Sequence, residues 1–411
     1  MASPSSLPSA AAVAAAAKRQ YDATYGVTRA PLPVEVEEQA EFFFQRGELA
    51  TVYFRTLIDQ NAFAGRPNHG HFAVADLLLV RSIQTAITTN VDALIETAGQ
   101  WLLGQVGVGI DGIGVAALPP ETAPLLKIHG CRVADPVNMI WALGQLTTEP
   151  VASRIASSGD WLRVRLLDRD LLIVGYWTDW DYLNNVLATT LDAVRPARVI
   201  VVDPADAAAF VEKAPVLYEL GERATTGFRR VHASGSDFLA ALRQAFSKSF
   251  IRRTLHLGIL DYHDQTGGDP PVDWTEPPDL PNDVLWQVRR DLEGCTPTQP
   301  AQQRRPADEP LVGVTLLQLR AGGAVPDGSY WLLDGRRIRV LRAPNQPLHR
   351  VEIAFQRETA PIVAPDIVTV VGAEAQSLSP NVARAGTTPT IARGTAGLWM
   401  TRPEALQALG L

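Results

Sequence analysis

The strongest constraint on the fold is a pair of short apolar runs that each end in polar side chains. The first, Ala86–Thr89, leads into Asn90 and Asp92, and the second, Leu125–His129, ends in the histidine itself. Short apolar runs bounded by turn or charged residues are typical of parallel strands covered on both faces. Because open α/β sheets bind ligands beyond the carboxyl ends of their strands, we expect these polar side chains to form a ligand site.

Residues 1–255 alternate strand-like and helical segments, as a doubly wound parallel sheet requires. Two further apolar runs, Leu171–Tyr176 and Val199–Val202, are interpreted as strands. An Ala-rich helix is expected over Ala10–Ala17, with Ser9 as its N-cap. Further helical patterns cover Gly70–Val80, Asp179–Ala193 and Ser236–Ser247. The sequence therefore predicts an α/β fold with a Rossmann-like doubly wound parallel sheet over residues 1–255.

The amino-acid composition changes after residue 255. Residues 256–310 are rich in Pro, Asp and Gln and are predicted to be a connector with one short helix, Asp283–Glu293. Residues 311–411 are predicted to form a small, β-rich antiparallel domain, with Asp334-Gly335 as a hairpin turn. The strands predicted there are Leu311–Leu319, Tyr330–Leu333, Arg337–Leu341, Val351–Phe355 and Ile367–Val371.

The composition limits the class of partner and the compartment. Of 411 residues, 37 are Lys or Arg and 44 are Asp or Glu, which gives a formal net charge of -7. Nucleic-acid binding rewards basic surfaces through counterion release, so direct nucleic-acid binding is not expected. No apolar run approaches the roughly 20 residues that span a bilayer, so no membrane segment is expected. The two cysteines, Cys131 and Cys295, are too few for a disulfide framework and indicate a cytoplasmic protein.

Four separated segments in the first 205 residues resemble the sirtuin (silent-information-regulator) family, which cleaves the nicotinamide–ribose bond of NAD. They are Pro67-Asn68-x-x-His71, Thr88-x-Asn90-x-Asp92 with Glu96 and Gly99, Ile128-His129-Gly130, and the later turns Gly175-Tyr176-x-x-Asp179 and Val201-Val202-Asp203-Pro204. Each segment is weak alone, but together they follow or cap the predicted strands and helices in the family's order. The resemblance implies an NAD-binding domain with NAD as the substrate.

The resemblance implies roles for the residues at the nicotinamide end of NAD. Cleavage passes through an oxocarbenium-like transition state, so the ribose must be held while positive charge grows on it. Asn90 would orient a water or a ribose hydroxyl without adding a charge. His129 would act as general base, and Asp92 would accept hydrogen bonds from the nicotinamide carboxamide. Asn90 and His129 are therefore the candidate catalytic pair.

Other candidate residues correspond to the adenosine end of the cofactor. Asp203 follows an apolar strand and would accept hydrogen bonds from the adenosine ribose hydroxyls, although sirtuins usually carry Asn at that place. Gly175, Tyr176 and Asp179 occupy the place of a nucleotide-binding turn in the family. We therefore expect all four residues to bind the cofactor.

The family's opening strand and its Gly-Ala-Gly-x-Ser loop have no counterpart in this sequence. In the family, backbone N–H groups of that loop approach the pyrophosphate. Ala2 and Ser3 resemble the stretch immediately after the loop and are the candidate residues at this end of NAD. A missing central strand would leave its two neighbours with unpaired edges. We therefore expect Met1 to be an internal methionine, or another segment or a partner chain to fill the position.

A second departure from the family concerns zinc. Sirtuin deacylases commonly carry a four-cysteine zinc ribbon after the His-Gly segment, and two cysteines cannot form one. The sequence therefore resembles the zinc-less sirtuin-like proteins of bacterial antiphage defence, which destroy NAD, more than it resembles the deacylases. His69 and His71 lack a cysteine or carboxylate at ligand spacing, so no metal site is predicted, and His71 is interpreted as structural.

These observations predict an NAD hydrolase that releases nicotinamide and ADP-ribose. Because unrestrained NAD hydrolysis would poison the cell, we expect its activity to be gated by the C-terminal domain, by homo-oligomerisation or by a partner defence protein. Three alternatives stay open. They are an NAD-dependent protein deacylase, a catalytically silent NAD or ADP-ribose sensor that regulates a partner, and a C-terminal recognition domain for which the first domain is a scaffold.

Simpler interpretations exist for the same side chains. Asn90 and Asp92 could cap a helix that begins near Ala93, because Asn and Asp are favoured N-caps. An isolated His129 would more often be a hydrogen-bonded, half-buried histidine. The combination of these residues favours function over capping.

Overall fold

Two compact units make up the chain in a computed structural model. The structure describes residues 5, 7–102, 104–119, 122–175, 188, 191, 194–294, 308–355, 364–374 and 399–411. The first unit comprises Met1–Leu78, Ile83–Gly99 and Val106–Ala240, and the second comprises Leu79–Ser82, Gln100–Gln105 and Ala241–Leu411. The division falls inside a helix, Gly235–Leu257.

The first unit combines helices with short parallel strands. The α-helices are α1 (Ala10–Tyr25), α2 (Val36–Phe44), α3 (His69–Leu79), α4 (Leu94–Trp101), α5 (Gly112–Ala116), α6 (Val151–Arg165), α7 (Ala207–Lys213) and α8 (Pro215–Glu222). A π-helix covers Leu49–Leu57, and 3-10 helices cover Gly26–Thr28, Gln60–Phe63 and Leu143–Thr147. The predicted N-terminal helix is confirmed with its cap, because the Ser9 hydroxyl accepts from the Ala12 N–H at 3.2 Å. The predicted helix Asp179–Ala193 lies almost entirely outside the described residues.

The N-terminal helices build an aromatic core of their own. Tyr21, Phe43 and Tyr53 are fully buried, and the rings of Phe43 and Tyr53 stack with centroids 5.2 Å apart. The Tyr53 hydroxyl donates to Gln39 Oε1 at 3.0 Å, so its polar end is satisfied inside the core. Met139, from the chain that follows β3, packs in the same cluster. This core therefore supports the segment beyond the histidine turn.

Six strands of the first unit form two parallel three-stranded sheets. The strands are β1 (Ala86–Thr88), β2 (Val106–Gly109), β3 (Ala123–Lys127), β4 (Asp170–Val174), β5 (Arg198–Asp203) and β6 (Gly227–His232). The strand orders are β1-β3-β2 and β4-β5-β6, and every pairing is parallel. The prediction of an α/β fold with parallel strands is confirmed. Strands β2 and β6 were not predicted.

One hydrophobic core joins both sheets to α6. Leu126 from β3 and Val201 from β5 are 0% and 1% exposed, and Leu162 of α6 packs in the same cluster. Burial of each such side chain stabilises the fold by about 1.5–3 kcal/mol. Residues of the edge strands β1 and β4 are only half-buried, apart from the exposed Asp170. The central strands β3 and β5 are the more deeply buried strands of the two sheets.

The second unit combines helices with a mixed five-stranded sheet. Its helices are α9 (Gly235–Leu257), of which residues 241–257 belong to this unit, α10 (Ile259–Thr266), α11 (Asn282–Glu293), α12 (Asp308–Ala321), α13 (Leu348–Phe355) and α14 (Arg402–Leu409), with a 3-10 helix at Val272–Thr275. Its strands are β7 (Val325–Asp327), β8 (Tyr330–Leu333), β9 (Arg336–Arg342), β10 (Ile367–Val371) and β11 (Trp399–Thr401), ordered β11-β10-β9-β8-β7. The predicted hairpin turn is confirmed, because Leu333 pairs with Arg336 around Asp334 and Gly335, both at positive φ.

The second unit differs from the sequence prediction in its elements, in its sheet and in the segment predicted as a connector. The segments Leu311–Leu319 and Val351–Phe355 were predicted as strands but lie in helices α12 and α13. The sheet is antiparallel only from β7 to β9, whereas β9, β10 and β11 run parallel. Residues of the predicted connector, among them Tyr262, Leu285 and Leu292, are buried in the core of this unit. Among the described residues, no helix is both long and apolar enough to cross a membrane.

Candidate functional site

The two polar turns identified in the sequence meet because their strands are neighbours. Strands β1 and β3 pair directly, with Thr88 opposite Lys127. The chain therefore leaves both strands at the same edge of the sheet. Asn90 and Asp92 follow β1, and His129 follows β3.

Backbone hydrogen bonds join these turns beyond the ends of the strands. The Ile128 N–H donates to the Thr88 carbonyl at 3.2 Å, and the Arg132 N–H donates to the Val91 carbonyl at 3.0 Å. His129 also forms a hydrogen bond with the Thr89 backbone. The turns that carry Asn90 and His129 are thus held to each other by their main chains.

Burial sets the protonation state of His129. The side chain is 3% exposed, and this desolvation lowers the pKa of His129 to about 3. The hydrogen bond with the Thr89 backbone raises the pKa in part, and the positive charge of Arg154 lowers it further. The imidazole is therefore neutral near physiological pH and keeps a nitrogen lone pair, although the same burial makes it a weaker proton acceptor than an ordinary histidine.

Asp92 performs the capping role that the simpler interpretation assigned to it. Its Oδ1 accepts from the Leu94 N–H at 2.9 Å, at the first turn of α4. The side chain is 7% exposed. Capping uses one carboxylate oxygen, which leaves the second oxygen of Asp92 for other contacts. Asn90 is half-buried, and its backbone N–H donates to the Thr88 hydroxyl at 3.0 Å.

The second parallel sheet brings Gly175 and Asp203 together. The Gly175 N–H, directly after β4, donates to the Val202 carbonyl at 3.1 Å, one residue before Asp203. Asp203 is 1% exposed, and its Oδ1 accepts from the Ala205 N–H at 2.7 Å. Its Oδ2 is buried and has no hydrogen-bond partner among the described residues. An unsatisfied buried carboxylate oxygen is costly, so this atom suits a ligand hydroxyl that can donate to it.

Gly175 has a backbone conformation that favours glycine. Its φ is +66°, and a Cβ built at this position meets no atom of the described residues within 4 Å. Glycine adopts this left-handed conformation without steric strain. The remaining candidates of the cofactor group, Ala2, Ser3, Tyr176 and Asp179, lie outside the described residues.

Arg154 is a site residue that sequence reasoning missed. This α6 side chain is 6% exposed, its Nη1 donates to the Asn138 carbonyl at 2.8 Å, and it lies 3.6 Å from Asp135. A Cβ on Gly130 would lie 3.2 Å from Arg154 Nη2. Arg154 therefore braces the chain immediately after His129. The surface-like pattern Ser-Arg-Ile in a helix offered no signal that this arginine is buried.

His71 makes contacts that fit its interpretation as a structural residue. The Asn68 N–H donates to His71 Nδ1, and the His71 N–H donates to Asn68 Oδ1, both at 3.1 Å. Burial lowers the pKa of His71, while the nearby charge of Asp92 raises it in part. These reciprocal bonds fix the start of α3.

The described part of the chain contains no group of three or more His, Cys, Asp or Glu side chains that could hold a metal ion. No known protein-family model matches the sequence, and no curated protein is significantly similar to it.

Proposed function

We propose that this protein is a sirtuin-like NAD hydrolase, which releases nicotinamide and ADP-ribose and acts as a gated effector in bacterial antiphage defence. The observation that carries the proposal is the meeting of the Asn90–Asp92 turn with a neutral, buried His129. In the proposed binding mode, NAD lies across the carboxyl ends of the strands of a Rossmann-like domain. Nicotinamide lies near Asp92 and the adenosine ribose near Asp203.

In the proposed reaction Asn90, His129 and Asp92 each have a different role. The bond between the nicotinamide nitrogen and C1′ of the ribose breaks, and its electron pair leaves with the nicotinamide ring. Positive charge then develops on the ribose, and a water attacks C1′. Asn90 orients the water or a ribose hydroxyl, while neutral His129 accepts the proton that the nucleophile loses. Asp92 accepts hydrogen bonds from the carboxamide of the leaving group.

The burial of His129 supports the gated part of the proposal. At 3% exposure, the imidazole is closed off from solvent. Substrate reaches the imidazole only when the part of the chain that buries His129 moves. A trigger can control a movement of this kind. A homo-oligomer or a partner defence protein would stabilise the open form.

Nicotinamide release from NAD by the purified protein tests the proposal. The wild type is incubated with NAD at several protein concentrations, and its separate oligomeric fractions are assayed by chromatography. We expect His129→Ala to reduce release by about 10²-fold or more, as loss of an acid–base group does, and Asn90→Ala to reduce it by a similar factor because the nucleophile is no longer oriented. The matched controls Asn61→Ala and His263→Ala change exposed residues and should retain wild-type release.

Four outcomes contradict the proposal. Wild type that releases no nicotinamide in any assembly state excludes the hydrolase, and so does release by both site variants that equals release by wild type. Tight NAD binding by calorimetry without turnover would select the sensor instead. Formation of acyl-ADP-ribose from an acylated peptide would select the deacylase.

A further inference from the structure

A lysine is buried at the last position of β3, where an apolar residue would be expected. Lys127 is 1% exposed, and its strand neighbours Leu125 and Leu126 are 0% exposed. Lysine is almost never fully buried unless its ammonium group has a partner. The contacts of this ammonium group therefore need explanation.

The Lys127 ammonium connects three elements of the first unit. Its Nζ lies 2.6 Å from Glu96 Oε1 of α4 and donates to the backbone carbonyl of Asp92. Cys131 Sγ lies 3.8 Å away and is also buried. Lys127 thus ties β3 to α4 and to the turn that follows β1.

Stability alone does not account for this ion pair. Replacing a buried ion pair by apolar residues of similar volume is often neutral or stabilising, because two charges must be desolvated to form it. Glu96 Oε2 is buried without a hydrogen-bond partner among the described residues, so the pair is not fully satisfied. Such pairs are instead suited to specifying one arrangement of the surrounding chain.

The arrangement that the pair specifies is the position of Asp92. Lys127 holds the backbone carbonyl of Asp92, while the Leu94 N–H holds its Oδ1. These two hydrogen bonds restrict the orientation of Asp92, and with it the direction of its second carboxylate oxygen. Glu96 in turn fixes the ammonium, because it lies one turn along α4 from the capped end.

We propose that Lys127, fixed by Glu96, is a positioning residue that orients Asp92 toward the carboxamide of nicotinamide. This inference rests on the proposed NAD hydrolase function. Loss of the lysine should therefore weaken the binding of nicotinamide, both free and as part of NAD, because its carboxamide binds to Asp92. Binding of ADP-ribose, which lacks nicotinamide, should be unaffected. A general loss of structure would weaken both.

The double variant Lys127→Met/Glu96→Gln provides the test, because it removes both charges and leaves no buried ion unpaired. We expect KM for NAD and the inhibition constant of nicotinamide to rise together by roughly tenfold, the value of a hydrogen bond to a charged group. The dissociation constant of ADP-ribose should stay within about twofold of wild type. Cys131→Ala is the matched control, because it alters the third neighbour of Lys127 without changing charge.

The outcomes separate this inference from the proposed function. Wild type that releases no nicotinamide overturns both. Active wild type with unchanged KM and unchanged nicotinamide inhibition in the double variant overturns the positioning role alone, and so does a parallel loss of ADP-ribose binding. If the double variant does not fold, Glu96→Gln decides. It frees the ammonium, and the same selective but smaller loss supports the role, whereas unchanged constants overturn it.

Discussion

The backbone N–H of Arg132 donates to the carbonyl of Val91 over 3.0 Å and thereby joins the turn after β3 to the turn after β1. This bond spans the candidate catalytic pair, because Val91 follows Asn90 and Arg132 lies three residues beyond His129. The relative position of the two turns is therefore set in part by main-chain contacts, which do not depend on side-chain rotamers. Substitution of either side chain should leave the turns in place, which makes the site suitable for mutagenesis.

The low pKa of His129 predicts that the reaction rate does not decrease when the pH is lowered from neutral to mildly acidic values. With its pKa lowered to about 3 by burial, His129 is already in the base form throughout the range in which an ordinary histidine titrates. We expect kcat/KM for NAD to show no decrease attributable to His129 between about pH 8 and pH 5. Initial rates of nicotinamide release across this range provide the measurement.

A decrease with a midpoint near the ordinary histidine value of 6.5 would contradict this prediction, provided that His263→Ala shows the same profile. Such a result would mean that His129 is solvated in the active form of the protein.

The same pKa shift predicts a loss of stability in acid. Between pH 6.5 and about 3, the unfolded chain protonates His129 whereas the folded chain does not. The free energy of unfolding therefore keeps its full value with respect to His129 above pH 6.5. It decreases as the pH falls toward 3, by an amount on the order of a few kcal/mol. Urea unfolding at a series of pH values measures the free energy of unfolding.

The variant His129→Gln isolates this contribution, because glutamine does not titrate. The difference in unfolding free energy between wild type and variant should decrease as the pH falls. A constant difference would show that His129 titrates normally in the folded state.

Gly130→Ala is expected to destabilise the turn that carries His129. Gly130 has φ +88°, and a Cβ there would lie 3.2 Å from both Arg154 Nη2 and Met139 Cα. The strained backbone and the close contact together should cost about 1–3 kcal/mol of unfolding free energy. Gly47→Ala is the matched control, because Gly47 has φ +70° and a Cβ there would meet no atom of the described residues within 4 Å, so it tests backbone strain alone. Equal losses in urea unfolding would remove the contact with Arg154 from the explanation.

The predictable part of the first unit is the part with continuous apolar strands. Strands β1, β3, β4 and β5 follow from their runs of Ile, Leu and Val. Strand β2 was missed because two of its four residues are glycines. The fold requires them, since a Cβ on Gly109 would lie 2.4 Å from the backbone of Val115 in α5, and one on Gly107 would meet Thr122. Close packing removed the signal that marks a strand.

Helix α12 was mistaken for a strand because it is buried on all sides. Val312, Val314, Leu316, Leu317 and Leu319 are all buried, so no polar face marks the helical period. At Gly313 a Cβ would lie 2.1 Å from the Thr254 carbonyl, which shows how closely this helix packs against α9. A continuous apolar run of this kind cannot be assigned to helix or strand from periodicity alone.

The candidate site was predictable only as far as its turns. The positions of Asn90, Asp92 and His129 after strands are visible in the sequence, but their meeting depends on the direct pairing of β1 with β3. The contributions of Lys127 and Arg154 depend on burial. A charged residue at a strand end or in a helix is ordinarily interpreted as exposed.

Asp203 is expected to affect NAD binding and to tolerate asparagine. Its buried Oδ2 has no hydrogen-bond partner among the described residues, and the proposed partner is an adenosine ribose hydroxyl. Asp203→Ala should therefore raise KM for NAD by about tenfold, the value of one hydrogen bond to a charged group. Asp203→Asn keeps an acceptor for the Ala205 N–H and should stay closer to wild type. Inhibition by nicotinamide should not change in either variant, and a parallel change would place Asp203 elsewhere.

In the second unit, the buried pair of Asp291 and Arg339 should dominate the response to single charge removal. Arg339 Nε and Nη2 donate to the two oxygens of Asp291 at 2.7 and 2.9 Å, and both side chains are nearly inaccessible. Asp291→Asn removes the charge that compensates a buried guanidinium and should cost about 3–5 kcal/mol of unfolding free energy. Glu276→Gln is the matched control, because Glu276 binds Arg252 through both oxygens as well but is half exposed. Water screens that exposed pair, so its loss should produce little change in urea unfolding. A similar loss in both variants would show that burial does not strengthen the dependence of Arg339 on Asp291.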